Sequence, residues 1–195
     1  MAKNIVILQG HPDGANKHLC HLLADAYEKG AKAAGHSVKT IDVASLDFPY
    51  LRSKDDWENG ETPVGLLEPQ ELIFWAEHLV IIYPLWLGTV PAILKAFFEQ
   101  VLRPILTKNV NASPLDWRKL LKGRSARVVV TMGMPGFVFR WYYGSHGLKM
   151  LKRNILGFVG ISPVRSTIVG LADLVKGGKL TKLTEKIETL GQQAR

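Results

Sequence analysis

The stretch His78-Leu-Val-Ile-Ile-Tyr-Pro-Leu-Trp-Leu-Gly-Thr-Val-Pro-Ala-Ile-Leu-Lys-Ala-Phe-Phe98 decides the fold. Its first seven residues form a short, unbroken apolar run, the pattern of a strand covered on both faces in a parallel sheet. Pro84 has no N–H to give to a ladder, so the strand stops there. Thr89 is placed to cap the helix that follows, and Pro91 suits a first turn, where a missing N–H is harmless. Leu85, Trp86, Leu87 and Gly88 are thereby left on a loop at the carboxyl end of the strand. In open α/β sheets that edge is where ligands bind, near the point at which strand order reverses.

Outward from this stretch, strand and helix patterns alternate. Lys3 to Gln9 reads as a first strand and Gly10-His-Pro-Asp-Gly-Ala15 as a turn-rich loop. Asn16 opens a helix running towards Gly35, with Leu19, Leu22, Leu23, Ala26 and Tyr27 at helical spacing. Ser37 to Val43 is a second strand, followed by a long irregular segment over residues 44–67 of the kind that forms lids or oligomer contacts. A short helix from Pro69 precedes the strand at His78, and the helix from Pro91 is expected to end near Leu102, before Pro104. After a second irregular segment, 103–117, come a strand over Arg127 to Thr131, a helix from Ser145 to Phe158, a strand over Arg165 to Val169 and an amphipathic C-terminal helix carrying Leu180, Leu183, Ile187 and Leu190. Five strands alternating with helices predict a doubly wound α/β sheet of order 2-1-3-4-5, one domain over residues 1–195.

Composition sets outer bounds. The 195 residues are 47% hydrophobic, enough for a substantial core. Strand-sized apolar runs and the absence of a signal-peptide pattern favour a soluble, cytoplasmic protein. Cys20 is the only cysteine, so no internal disulfide is expected, and its neighbours Leu19 and Leu23 mark it as a core residue. The net charge of +8 raises the question of nucleic acid, but the basic residues are scattered and no binding motif accompanies them, so no nucleic-acid partner is expected. A basic surface equally suits an anionic cofactor, an acidic partner or a membrane surface.

In order 2-1-3-4-5 the loops after the first, third and fourth strands meet at one place. The first feeds a helix N-terminus, whose free N–H groups and dipole favour phosphate, and Asn16, Lys17 and His18 add donors. The same residues also fit an ordinary capped turn, because the loop matches neither dinucleotide-binding nor Walker patterns. His11, His18 and His21 lack the carboxylate or thiol companions of a metal site, and no metal is expected. The second loop offers Trp86. The third, Thr131-Met-Gly-Met-Pro-Gly136, has glycines that let backbone approach a ligand. A phosphate at one loop and a flat ring between the other two describe a flavin mononucleotide site.

The chain resembles the flavodoxin-like NAD(P)H:quinone oxidoreductases along essentially its whole length. The strongest element is Tyr83-Pro-Leu-Trp-Leu-Gly-Thr-Val-Pro-Ala-Ile-Leu-Lys95, close to that family's aromatic-Pro-Leu-x-Trp/aromatic-x-x-x-Pro-Ala-x-Leu-Lys signature. His11 and Asn16-Lys17-His18 match its first-loop positions. The resemblance implies His11, Asn16, Lys17 and His18 at the flavin phosphate and ribityl chain. It places Pro84, Leu85, Trp86 and Leu87 along the isoalloxazine, and Thr131, Met132, Gly133 and Met134 at the third flavin loop, where the family usually has Thr-Thr-Gly-Gly. Some members place a Tyr and His relay after that loop. Phe139 stands at the aligned Tyr position, and the nearby relay candidates are Tyr142, Tyr143 and His146. The resemblance further implies FMN or FAD, NAD(P)H as donor, a quinone or similar small acceptor, and a homodimer, with Trp57 and residues 103–117 as interface candidates. An alternative within the family is a non-enzymatic flavin-binding subunit of a membrane transporter such as a potassium-efflux system.

Overall fold

The computed structural model describes residues 1–107 and 121–195, with side chains described outside 104–107. Five strands, β1 (Asn4–Gln9), β2 (Ser37–Asp42), β3 (His78–Pro84), β4 (Ser125–Thr131) and β5 (Val164–Val169), form one parallel sheet in the order β2-β1-β3-β4-β5. This is the predicted order.

The unbroken apolar runs of the central strands follow from cover on both faces. On one side Ile5, Ile7, Val80, Ile82 and Val129 pack with Cys20, Leu23, Tyr27 and Ile187, which belong to α1 (Leu19–Ala33) and α7 (Gly178–Gln192). On the other, Val6, Leu8, Leu79, Ile81, Tyr83, Val128 and Val130 pack with residues such as Ile73, Leu94, Phe97 and Leu148. These come from α3 (Leu67–Trp75), α4 (Ala92–Thr107) and α6 (His146–Met150). Alternate side chains along β1, β3 and β4 thus feed two separate cores, whereas the edge strands β2 and β5 remain largely exposed. Helices α1 and α7 approach closely because Gly30 and Gly191 carry no Cβ. A Cβ on either would run into the other helix's backbone, at Glu188 or Tyr27.

Several boundaries differ from the sequence reading. α1 starts at Leu19, three residues later than expected, because Asn16 belongs to the turn before it. α4 continues through Pro104 to Thr107. Thr89 does not cap α4: its hydroxyl is buried without a partner among the described residues, and its backbone pairs with Trp86 instead. The aromatic stretch after β4 forms a helix of its own, α5 (Gly136–Trp141), and α6 runs on as a π-helical turn over Leu151–Leu156.

The segment between β2 and α3 contains α2 (Lys54–Glu58) and is tied to α4. Gln100 Nε2 donates to the Pro49 carbonyl at 2.7 Å, and the buried Arg103 guanidinium donates to the carbonyls of Gly60 and Glu61. Much of the other irregular segment, 103–117, lies outside the described residues, so the interface expectation placed on it does too. No helix among the described residues is long and apolar enough to cross a membrane.

Candidate functional site

At the carboxyl edge of the sheet the strand ends are joined by backbone hydrogen bonds that continue past the strands. Gly10 N donates to Ile82 O at 2.8 Å, Leu85 N to Thr131 O at 2.7 Å and Met132 N to Val169 O at 2.9 Å. The loops leaving β1, β3, β4 and β5 are therefore held side by side. They enclose a cleft of about 520 Å³ whose lining includes His11, Lys17, His18, Pro84, Leu85, Trp86, Thr131, Met132 and Gly133. That volume lies within the range of about 300–1,000 Å³ usual for small-molecule sites.

One end of the cleft is polar. His18 is the N-cap of α1, where the first helical N–H groups have no carbonyl within the helix to meet. The His11 ring stacks on His18 with centroids 3.9 Å apart, and His21 lies 5.4 Å from His11. His11 Nδ1 accepts the Asp13 N–H at 3.1 Å, which leaves its proton on Nε2. Burial, with His18 and His21 close by, holds the His11 pKa below its ordinary value, so this ring is a neutral donor. His21 Nδ1 accepts the His18 N–H at 3.0 Å in the same way. Asp13 organises the loop: it receives His18 Nε2 at 2.7 Å, Asn16 Nδ2 at 3.0 Å and the Ala15 N–H at 2.9 Å. The His18 hydrogen bond, followed by those from Asn16 and Ala15, holds its carboxyl well below the usual carboxylate range. Among the described residues no three His, Cys, Asp or Glu side chains are placed to hold a metal ion.

The other end is walled by Pro84, Leu85 and Trp86. Leu87 and Gly88 both have positive φ, 46° and 80°, and Trp86 and Thr89 pair on either side of them, as in a two-residue hairpin turn. That turn holds up Trp86, which is half-exposed and lines both the cleft and a second hollow bounded by Val90, Pro91 and Met150. On the floor, Cys20 Sγ lies 3.2 Å from Thr131 Oγ1, and burial pushes the thiol pKa up to about 11, which makes it an inert wall residue as expected.

Of the residues anticipated for a flavin, His11, Lys17, His18, Pro84, Leu85, Trp86, Thr131, Met132 and Gly133 meet in this cleft. Asn16 does not line it, because its amide is turned to Asp13. Leu87 points away, fully exposed at the tip of its turn. Met134 does not line the cleft and packs partly buried against the core, and the Met132 N–H is already committed to Val169. Tyr142, Tyr143 and His146 also lie outside the lining, all exposed. They follow α5 and lead into α6, where Gly147 packs so closely on the Gly88 carbonyl that a Cβ would not fit.

The sequence reading overlooks a fourth loop. Ala172, Asp173, Val175 and Lys176 after β5 complete the lining, with Ala172 N donating to Met132 O at 2.9 Å. Its signal in the sequence is Gly170 and the Gly177-Gly178 pair, which bracket a turn at the same sheet edge.

The donor set suits a molecule with a phosphate at one end and a flat ring at the other. Imidazole N–H and a helix N-terminus stand at the polar end, with Lys17, whose ammonium pairs with Asp25 at 3.2 Å; Pro84, Leu85, Trp86 and the Gly133 backbone, close to the Asp173 carboxylate, stand at the other. FMN has that form.

Known proteins point the same way. The chain is 26% identical over 223 residues to a protein of Nitratidesulfovibrio vulgaris named FMN-dependent NADH:quinone oxidoreductase, covering 98% of this chain and 96% of that one. Among solved structures it is similar to an NAD(P)H:quinone oxidoreductase from Methanothermobacter marburgensis, with a TM-score of 0.75, 20% identity and coverage of 99% and 96%. It is also similar to an FMN-dependent NADH-azoreductase from Bacillus anthracis solved in complex with FMN, with a TM-score of 0.67, 18% identity and 99% of both chains covered. These two likenesses speak for the fold. The Flavodoxin_2 model, described as a flavodoxin-like fold, matches residues 3–193, and the chain belongs to that family.

Proposed function

We propose that this protein is an FMN-dependent NAD(P)H oxidoreductase that passes two electrons to a quinone or a comparable small acceptor. The observation that carries this reading is the cleft itself, in which an imidazole-lined helix N-terminus and an aromatic wall lie within one hollow. The relative from N. vulgaris, named for FMN, NADH and quinone, supports it.

In this reading His11, Lys17, His18 and the α1 N-terminus hold the phosphate. Asp13 keeps His18 oriented and shapes the turn through Asn16. Pro84, Leu85 and Trp86 would hold the ring, with the Gly133 backbone beside it. Bound there, the flavin would supply the redox chemistry of a two-electron transfer between NAD(P)H and the acceptor. The protein's part is to position and to exclude water. Trp86 and the Ala172–Lys176 loop wall off the cleft, and the helix dipole offsets negative charge there, since Asp173 and Lys176 in that loop carry opposite charges. Tyr142, Tyr143 and His146 stand outside the cleft, so their proposed part is confined to the acceptor's protons and not to flavin reduction.

The test is reconstitution. The purified protein is incubated with FMN or with FAD, freed of excess flavin, and titrated anaerobically with NADH or NADPH. The expected outcome is stoichiometric retention of FMN, bleaching of its absorbance by the nicotinamide, and recovery on adding a soluble quinone. Failure to retain either flavin overturns the proposal.

A further inference from the structure

Asp173 stands in the cleft without a structural task. It is the only acid among the described residues that line the hollow. Its carboxylate makes no ion pair and no side-chain hydrogen bond among the described residues. Two other acids near this sheet edge are spent on loop structure: Asp13 holds His18, Asn16 and the Ala15 N–H, and Asp42 accepts the Ala44 N–H at 3.1 Å. Asp173 caps nothing, since the short turn Ala172–Leu174 on which it lies starts from Leu171.

Its position is nevertheless fixed. Ala172 N donates to Met132 O at 2.9 Å and Leu171 N to Met134 O at 3.1 Å, so the loop after β5 is pinned on both sides of Gly133. Gly170 packs so tightly on Gly136 that a Cβ would not fit between them. Asp173 Oδ2 consequently lies only 3.5 Å from where a Gly133 Cβ would stand. The positive groups are placed elsewhere. His11, Lys17 and the α1 N-terminus gather at the phosphate end, and Lys17 is already paired with Asp25. Lys176 also lines the cleft but makes no ion pair among the described residues, so nothing neutralises Asp173 at contact.

We propose that Asp173 sets the redox potential of the bound flavin: its carboxylate beside Gly133 disfavours negative charge on the reduced ring and holds the midpoint potential down. This rests on the FMN reading of the cleft. Reduction by a hydride adds one hydrogen and one negative charge to the ring, while the nicotinamide leaves oxidised. A fixed carboxylate at the ring end opposes that charge and does not oppose the neutral oxidised ring. By linkage, the potential falls by as much as the reduced form binds more weakly than the oxidised one. The consequence is a reduced enzyme that gives electrons to its acceptor more readily and takes them from NAD(P)H less readily.

The FMN-loaded protein and its Asp173→Asn and Asp173→Glu variants are titrated anaerobically against a dye of known potential, at low and high salt. Asp173→Asn is expected to change the ratio of affinities for reduced and oxidised FMN about tenfold in favour of the reduced form, a rise of about 30 mV for a two-electron couple. Asp173→Glu keeps the charge and should stay with the parent. Salt should raise the parent's potential towards that of the Asn variant and move the variant less. This last measurement tests the charge without any substitution. In rapid mixing, Asp173→Asn should be reduced faster by NAD(P)H and reoxidised more slowly by a soluble quinone, whereas a disturbed fold would slow both steps. A potential that is unchanged or lower in Asp173→Asn, or a Glu variant that shifts as the Asn variant does, overturns the proposal. Flavin retained and reduced at a potential indifferent to residue 173 removes this inference alone; a parent protein that retains no flavin removes the oxidoreductase reading with it.

Discussion

At the scale of residues, two histidines illustrate opposite uses of one side chain. His11 lines the cleft with Nδ1 taken by the Asp13 N–H and Nε2 left to donate, so its expected role is with the charged end of the ligand. His11→Ala should raise the FMN dissociation constant about tenfold, the usual cost of one charge-assisted hydrogen bond, and leave that of riboflavin, which lacks the phosphate, almost unchanged. Equilibrium dialysis against both flavins checks it. His78, by contrast, is fully buried at the opposite end of the sheet, with Nδ1 2.7 Å from Ser125 Oγ and Nε2 without a partner among the described residues. Burial first, then Lys3, Arg127, Arg165 and His36, lower its pKa to about 3 from an ordinary 6.5. Folded His78 stays neutral over that interval while the unfolded chain takes up a proton. Stability should therefore fall as pH drops from 6.5 towards about 3, by about 1.4 kcal/mol for each unit. Urea denaturation over this range should show a shallower slope in His78→Phe than in the parent.

At the scale of elements, the turn between β3 and α4 connects local strain to the site. A two-residue turn with both φ angles positive favours Asn-Gly, and this chain places Leu87 before Gly88. A leucine in the left-handed region costs about 1 kcal/mol, and no burial offsets it, since Leu87 is fully exposed. Leu87→Asn should stabilise the protein by about 0.5–1 kcal/mol, read as a higher urea midpoint with an unchanged slope. The two prolines and the glycine that punctuate this turn are legible in the sequence alone. The hairpin pairing of Trp86 with Thr89 is not, since Thr89 reads equally well as a helix cap; the observed choice leaves its hydroxyl buried and unpaired.

At the scale of the molecule, four loops from four strands surround one cleft, so filling it should stabilise the whole chain. At FMN concentrations about a hundredfold above the dissociation constant, linkage adds about 2.7 kcal/mol, and for a chain of this length the melting temperature should rise by about 5–10 °C. Differential scanning calorimetry with FMN and riboflavin at equal concentration separates the phosphate contribution from that of the ring. No rise with either would count against a flavin in this cleft.

The sequence by itself determined the sheet and the edge at which it works. Continuous apolar runs at Ile5–Leu8, Leu79–Tyr83 and Val128–Val130 require cover on both faces, and with alternating helices that leaves a parallel sheet. Glycine, proline and helix-start residues after the strands then mark the loops that converge, because turn chemistry and helix periodicity act within a few residues and are written locally. Only the tertiary structure decided which side chains share the cleft. Asn16 binds Asp13 at the surface, the loop after β5 closes the wall through its bond to Met132, and Tyr142, Tyr143 and His146 are carried outside as α6 seats Gly147 on Gly88. Those outcomes depend on contacts between segments tens of residues apart, and a shift of a single turn moves a side chain from one side of a loop to the other.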